Sequence, residues 1–249
     1  MNNAFTIGWR ELRVYFGSPI AYVITTVFLL VTGFLFIDSL TGAFREASLR
    51  GFFIGETLGG LLGETINATF FVLLLGPALT MRLLAEETKM GTIELLLTAP
   101  IRDFEVVLGK FMAAFVIVLL LLALTLYYPL LLALFSNPDP GPIVSGYFGL
   151  ILLGGFFLSV GLFASSLTTN QIVSMVLGLA FLILFWFLDK AADIFRGTPA
   201  SILEFVSPRT HFNEFARGII DTESVIYLLA LTAIFLFFTV RSVESRRWR

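Results

Sequence analysis

The chain has no cysteine and a single histidine. Disulfides, thiolate nucleophiles and thiolate metal ligands are excluded together, and one imidazole does not assemble a metal site alone, so no metal is expected and His211 is expected to be a surface residue. Charge is scarce: 14% of residues are Asp, Glu, Lys or Arg, against 57% hydrophobic, and the mean hydropathy is +0.93. A soluble globular domain carries roughly 25% charged residues, so this composition belongs in a lipid bilayer. With a net charge of −2 and no basic stripe, nucleic acid is not a partner. No G-x-x-x-x-G-K-[ST] loop is present to cradle phosphates, and neither a cofactor nor a nucleotide is expected on this chain.

What the chain has instead is long runs without charge. A charge at the bilayer centre costs roughly 2.5 to 3.5 kcal/mol, so such runs mark crossings. Val14–Ile37, Thr65–Met81, Phe111–Pro138 and Ser224–Val240 each hold one. Pro140–Leu188 is charge-free for 49 residues, about twice the length that one helix needs to cross a core of ~30 Å. It must fold back, and Thr168-Thr169-Asn170-Gln171 is the polar place to do so. The runs are continuous rather than alternating, which favours helices over a barrel. The expected fold is an all-α membrane protein, one transmembrane domain over residues 1–249. Its six spans lie near 19–37, 65–81, 111–135, 143–167, 172–188 and 224–240, with Pro129 kinking the third. The first apolar run is too long for a cleavable signal peptide and is read as an anchor.

Ten cations (Arg10, Arg13, Arg82, Lys89, Arg102, Lys110, Arg241, Arg246, Arg247 and Arg249) fall on one side of such a topology and six on the other, which places both termini in the cytoplasm. Before the first span, Phe5, Trp9, Leu12 and Phe16 recur at helical spacing, so residues 3–17 read as a helix lying in the interface, ended by Gly17-Ser18-Pro19. Between spans two and three lies a charge-dense insert, Arg82 to Lys110, with four cations and five carboxylates in 29 residues. It reads as two short helices parted at Gly91-Thr92, with Thr92 as an N-cap, Pro100 as a stop and Asp103 capping the third span. Glu86 and Glu87 are adjacent and diverge on a helix, so they are exposed charges rather than a catalytic pair. Asp38–Glu64, holding Glu56 and Glu64 among glycines, reads as a loop beyond the membrane. The intramembrane Asn67, Thr69, Ser159 and Ser174 read as groups satisfied by neighbouring helices. Gly161 and Ser165 share a face, as do Gly155, Ser159 and Ser166, which suggests close packing around the fourth span.

The insert, with Ala85-Glu86-Glu87, Gly91-Thr92-Ile93-Glu94-Leu95-Leu96, Ala99-Pro100 and Leu108-Gly109-Lys110, resembles the cytoplasmic loop of ABC-2 type transporter permeases. Glu11-Leu12-Arg13 with Tyr15-Phe16 and Ser18-Pro19 agrees with that family. So do Ser165-Ser166-Leu167-Thr168 with Asn170-Gln171, and Ala216-Arg217-Gly218-Ile219-Ile220-Asp221 with Glu244-Ser245-Arg246-Arg247-Trp248. The last two segments are most similar to the gliding-motility-associated permeases, with the nitrous-oxide-reductase maturation permeases a near second. The resemblance implies the transmembrane subunit of an ATP-driven transporter in a bacterial cytoplasmic (inner) membrane, working in export or in force transmission. It implies as partners cytoplasmic ABC ATPase subunits that hold ATP and Mg, a second copy or a related permease, membrane lipid, and an extracytoplasmic auxiliary protein as a further candidate. It implies that Glu86, Glu87, Gly91, Thr92, Glu94 and Pro100 form a coupling helix on the ATPase, beside the interfacial helix, and that Ala191–Glu223 holds short helices on the outer face. Two other function classes stand beside it: an integral membrane enzyme acting on lipid, and a secondary transporter.

Overall fold

The computed structural model describes residues 2–41, 49–54, 67–91, 102–195 and 197–246, and all regular structure among them is helical. In chain order the helices are α1 (Asn2–Phe16), α2 (Pro19–Thr41), α3 (Arg50–Ile54), α4 (Ala68–Thr80), α5 (Ala85–Lys89), α6 (Asp103–Thr125), α7 (Tyr127–Phe135), α8 (Pro140–Leu167), α9 (Gln171–Trp186), α10 (Leu188–Ala192), α11 (Thr198–Val206), α12 (Pro208–Ala216) and α13 (Thr222–Arg246). Among the described residues, five stretches are long and apolar enough to cross a membrane: Ala21–Leu40, Ala68–Lys89, Asp103–Phe135, Pro140–Leu167 and Thr222–Ser245. The crossing expected near 172–188 falls on the apolar helix Gln171–Trp186, which is shorter than these and is not one of the five. Expected span boundaries shift accordingly: the second runs on to Lys89 and the third begins at Asp103.

Without water, a helix must satisfy its own backbone and any hydroxyl it carries. The span hydroxyls do this at home: Thr32, Thr80 and Thr239 donate to the carbonyls of Phe28, Gly76 and Phe235 at 2.7–2.8 Å, and Ser159 donates to Phe156 rather than to a neighbouring helix. Asn67 and Thr69 do reach across, to the carbonyls of Ile54 and Phe53 in α3, both at 2.8 Å. The Ser174 hydroxyl has no hydrogen-bond partner among the described residues. α3 departs from the loop expected beyond the membrane, since Phe52 and Phe53 are buried against Tyr128, Tyr147 and Phe212. Glu56 and Glu64 lie outside the described residues.

The bundle is organised on α8. In it 78% of the most apolar stretch is buried, against 22% in α2 and in α13, so α8 is the axis and the other two face outward. Its glycines let neighbours approach: a Cβ on Gly161 would collide with Thr80 Oγ1 and stand 3.1 Å from Pro77 Cα, so α4 and α8 touch through backbone there. The fold-back falls where expected, Asn170 capping α9 through Ile172 N–H at 2.9 Å. The third span breaks at Leu126, between α6 and α7, because Pro129 has no N–H for the Thr125 carbonyl. Tyr147 of α8 donates to that carbonyl at 3.0 Å. Tyr147→Phe is therefore expected to cost about 1–3 kcal/mol, the penalty for stranding a buried acceptor, read as a lowered unfolding midpoint in detergent. A midpoint equal to that of the parent would show that the break needs no such support.

Candidate functional site

At one end of α8 the chain gathers charge that its spans exclude. α1 lies across the start of α6, and the two meet through glycine: a Cβ on Gly109 would stand 2.7 Å from the Ala4 carbonyl oxygen and 2.9 Å from Ile7 Cβ. The face of α1 that docks is Ala4, Ile7, Gly8 and Tyr15, all buried. Ile7, which falls off the expected stripe, is thus a packing residue. Of the stripe itself, Phe5, Trp9 and Phe16 are exposed and Leu12 is half-buried against the core. Arg13 sits over the Trp9 ring at 5.7 Å. α1 has one face packed on the protein and an aromatic face exposed.

This crossing places Lys110, one residue beyond Gly109, inside the protein at 1% exposure. Its Nζ lies 2.8 Å from Glu87 Oε1 of α5 and 3.1 Å from Glu11 Oε1 of α1. Arg10 Nη2 closes the group from outside, at 3.1 Å from Glu11 and 3.4 Å from Glu87. Two cations and two carboxylates give a neutral cluster joining three elements. Burial pushes the Glu11 carboxyl up, but Lys110 first and then Arg10 outweigh it and hold it below the ordinary carboxylate value. Tyr15, on the same face, donates to the Leu79 carbonyl of α4. Burial raises its hydroxyl's pKa, with Arg82 over its ring at 5.5 Å opposing the shift.

A second tie lies at the turn between α4 and α5. Ser165, near the end of α8, donates to the Met81 carbonyl at 3.0 Å and accepts from the N–H groups of Leu84 and Ala85 at 3.2 and 3.0 Å. One hydroxyl thereby satisfies three backbone groups exposed by a helix break. Beyond it, α5 ends at Lys89 with Met90 as its C-cap, and Gly91 follows with a φ of +70°, the left-handed conformation that glycine favours just past a helix C-terminus.

Of the residues expected to form the insert surface, Glu87 is turned inward to Lys110 and is not an exposed charge. Glu86 faces out, 3.8 Å from Arg82. Gly91 is exposed at the turn; Thr92, Glu94 and Pro100 lie outside the described residues. Asp103 does not cap α6: Glu105 reaches back to the Arg102 N–H at 3.2 Å instead. Sequence reasoning missed Lys110 and Ser165 as structural ties, although a lysine abutting a charge-free run and a serine on a glycine face were visible.

No curated protein matches the sequence. The profile described as ABC-2 family transporter protein matches residues 6–246, nearly the whole chain, and the protein belongs to that family.

Proposed function

We propose that this chain is the six-span permease subunit of an ATP-driven ABC-2 transporter and that the insert passes motion from a partner ATPase into the bundle. Family membership supports the first half, because members are membrane components whose ATPase is a separate subunit. The observation that carries the second is the neutral cluster Arg10–Glu11–Glu87–Lys110. It clamps the end of the insert to α1 and α6, so a push on α5 is borne by two further helices rather than absorbed in a loop. Rigid elements that move as bodies are what such transmission needs. Under this reading Glu86, Gly91, Thr92, Glu94 and Pro100 meet the ATPase, Glu87 anchors the insert from behind, and the aromatic face of α1 lies in the cytoplasmic leaflet with both termini inside. A second permease copy completes the transporter in the bacterial inner membrane, and the gliding-motility type is the subfamily that the terminal segments favour.

Gly91 supplies the test. Proline is fixed near φ −65° and lacks the N–H that Gly91 gives to the Thr88 carbonyl at 3.3 Å, whereas asparagine tolerates positive φ. In proteoliposomes holding the co-purifying ATPase, Gly91→Pro is expected to remove most of the permease-stimulated ATP hydrolysis and Gly91→Asn to retain it. Wild-type stimulation in Gly91→Pro, or a detergent pull-down from which mass spectrometry recovers no ATPase, would overturn the assignment.

A further inference from the structure

At the far end of α8, some 40 Å from the charged joint by the rise of a 28-residue helix, the short helices α11 and α12 form a cap. His211 lies in it, buried rather than at the surface as expected from the sequence, with its ring stacked 4.1 Å from that of Tyr227. Its two nitrogens have different partners. Nε2 is 3.0 Å from the Phe205 carbonyl oxygen of α11, and Nδ1 is 3.0 Å from Ser224 Oγ at the start of α13. Ser224 Oγ is in turn 2.7 Å from Glu214 Oε2 of α12. This row of three contacts ends in a carbonyl at one side and a carboxylate at the other, both acceptors.

Three hydrogen bonds need three hydrogens. A neutral imidazole brings one and the Ser224 hydroxyl another, so with Glu214 ionised the row is one short and two lone pairs would face each other at hydrogen-bond distance. We propose that His211, Ser224 and Glu214 form a proton-binding site: the row takes up one further proton, both ring nitrogens donate, and Ser224 donates to Glu214. Filled, the row ties α11, α12 and α13 through consecutive hydrogen bonds. When the proton leaves for solvent, Ser224 must turn its hydrogen to Nδ1, Glu214 loses its donor, and one of the two hydrogen bonds between α12 and α13 is lost.

The row borders a pocket of about 270 Å³ lined also by Glu204, Asp221 and Glu223, through which the proton exchanges with solvent. Among the described residues, Arg50, Lys190, Arg209, Arg217, Arg241 and Glu244 do not line this pocket, and Arg209 pairs with Asp189 at 3.1 Å. α8 and α9 carry no charged side chain. The inference does not depend on the ATPase reading.

Because the chain has one histidine, ¹⁵N-histidine labelling of the full protein in detergent reports this ring alone. Glu214→Gln is the decisive variant. Its amide N–H can donate to Ser224, Ser224 to Nδ1 and Nε2–H to Phe205, so all three contacts form without the extra proton. The expected result is a wild-type ring doubly protonated to higher pH than the ring of Glu214→Gln, with about tenfold tighter proton binding. In parallel, raising the pH from about 5 to 8, the range of histidine titration, should lower the unfolding midpoint of the wild type more than that of the variant. The sign follows from linkage: a proton held more tightly when folded stabilises at low pH, and that stability goes as the folded state releases it. Equal proton affinity in the two rings overturns the site, as do pH–stability curves that run parallel. Should Glu214→Gln not fold, Ser224→Ala, which severs the row at its centre, must weaken ring protonation in the same labelled spectrum; an unchanged titration there also overturns it.

Discussion

Lys110→Met is expected to lower the unfolding free energy of the purified chain by about 3–5 kcal/mol, the range for removing one partner of a buried ion pair. The reason is what remains. Glu11 and Glu87, with side chains only 12% and 15% exposed, would face each other across the vacated site with Arg10, 56% exposed, as their only cation in the cluster. Exposed pairs contribute at most about 1 kcal/mol, so Arg10→Ala should cost far less. Adding Glu87→Gln to Lys110→Met should recover part of the loss, because the excess negative charge goes with it; a double-mutant cycle measures the coupling. The cluster also fixes a pH dependence. Glu11, held below its ordinary value of 4.5, stabilises the fold fully above that value and loses its contribution as the pH falls through the lowered one. Lys110→Met should flatten this acid limb. Denaturant titration in mixed micelles at several pH values checks both statements, and a variant within about 1 kcal/mol of the parent would dismiss the cluster as a clamp.

The second large effect is expected at Ser165. Ser165→Ala removes the hydroxyl shared by the Leu84 and Ala85 N–H groups and the Met81 carbonyl, all at residues that span the break between α4 and α5. Stranding buried polar groups costs about 1–3 kcal/mol each. A local loss of about 2 kcal/mol would speed amide exchange at Leu84 and Ala85 roughly thirtyfold if exchange proceeds by local opening. Ser166→Ala is the control: its hydroxyl donates to Phe163 on its own helix, and the turn should not respond. Where the partner ATPase is present, Ser165→Ala should also reduce permease-stimulated hydrolysis. Unchanged exchange at both amides would remove the tie whatever the hydrolysis assay gives, so the local claim and the coupling claim fail separately.

Local features of the fold were legible. Charge-free runs mark the crossings because lipid penalises charge without regard to partners, and the Thr168–Asn170 fold-back and the break near Pro129 follow from one residue's chemistry acting within a turn or two. The Gly161–Ser165 face was legible for the same reason: small residues one turn apart admit a neighbour. What escaped were contacts between distant segments. Glu11 and Lys110 are 99 positions apart, and nothing local in the insert distinguishes Glu87, which turns inward, from Glu86, which does not. In α1, apolar residues occupy two faces, so periodicity alone picked the aromatic stripe and left Ile7 unexplained; only the bare Gly109 opposite reveals which face docks. α12 is polar by composition, and its Phe212 and Phe215 at i and i+3 were a faint sign that His211 beside them would be buried. Thr92, Glu94 and Pro100 fall where the described structure offers no comparison.

The filling of α8 bears on where anything could cross. Phe156, Phe157, Leu158, Val160 and Leu162 along its middle have essentially no exposed surface, so the middle of this helix is a solid pillar packed on every side. A corridor for cargo would have to run alongside this pillar, over the outward faces of α2 and α13 or across a seam with another subunit. A molecule guided along those oily walls would shed its water before it entered.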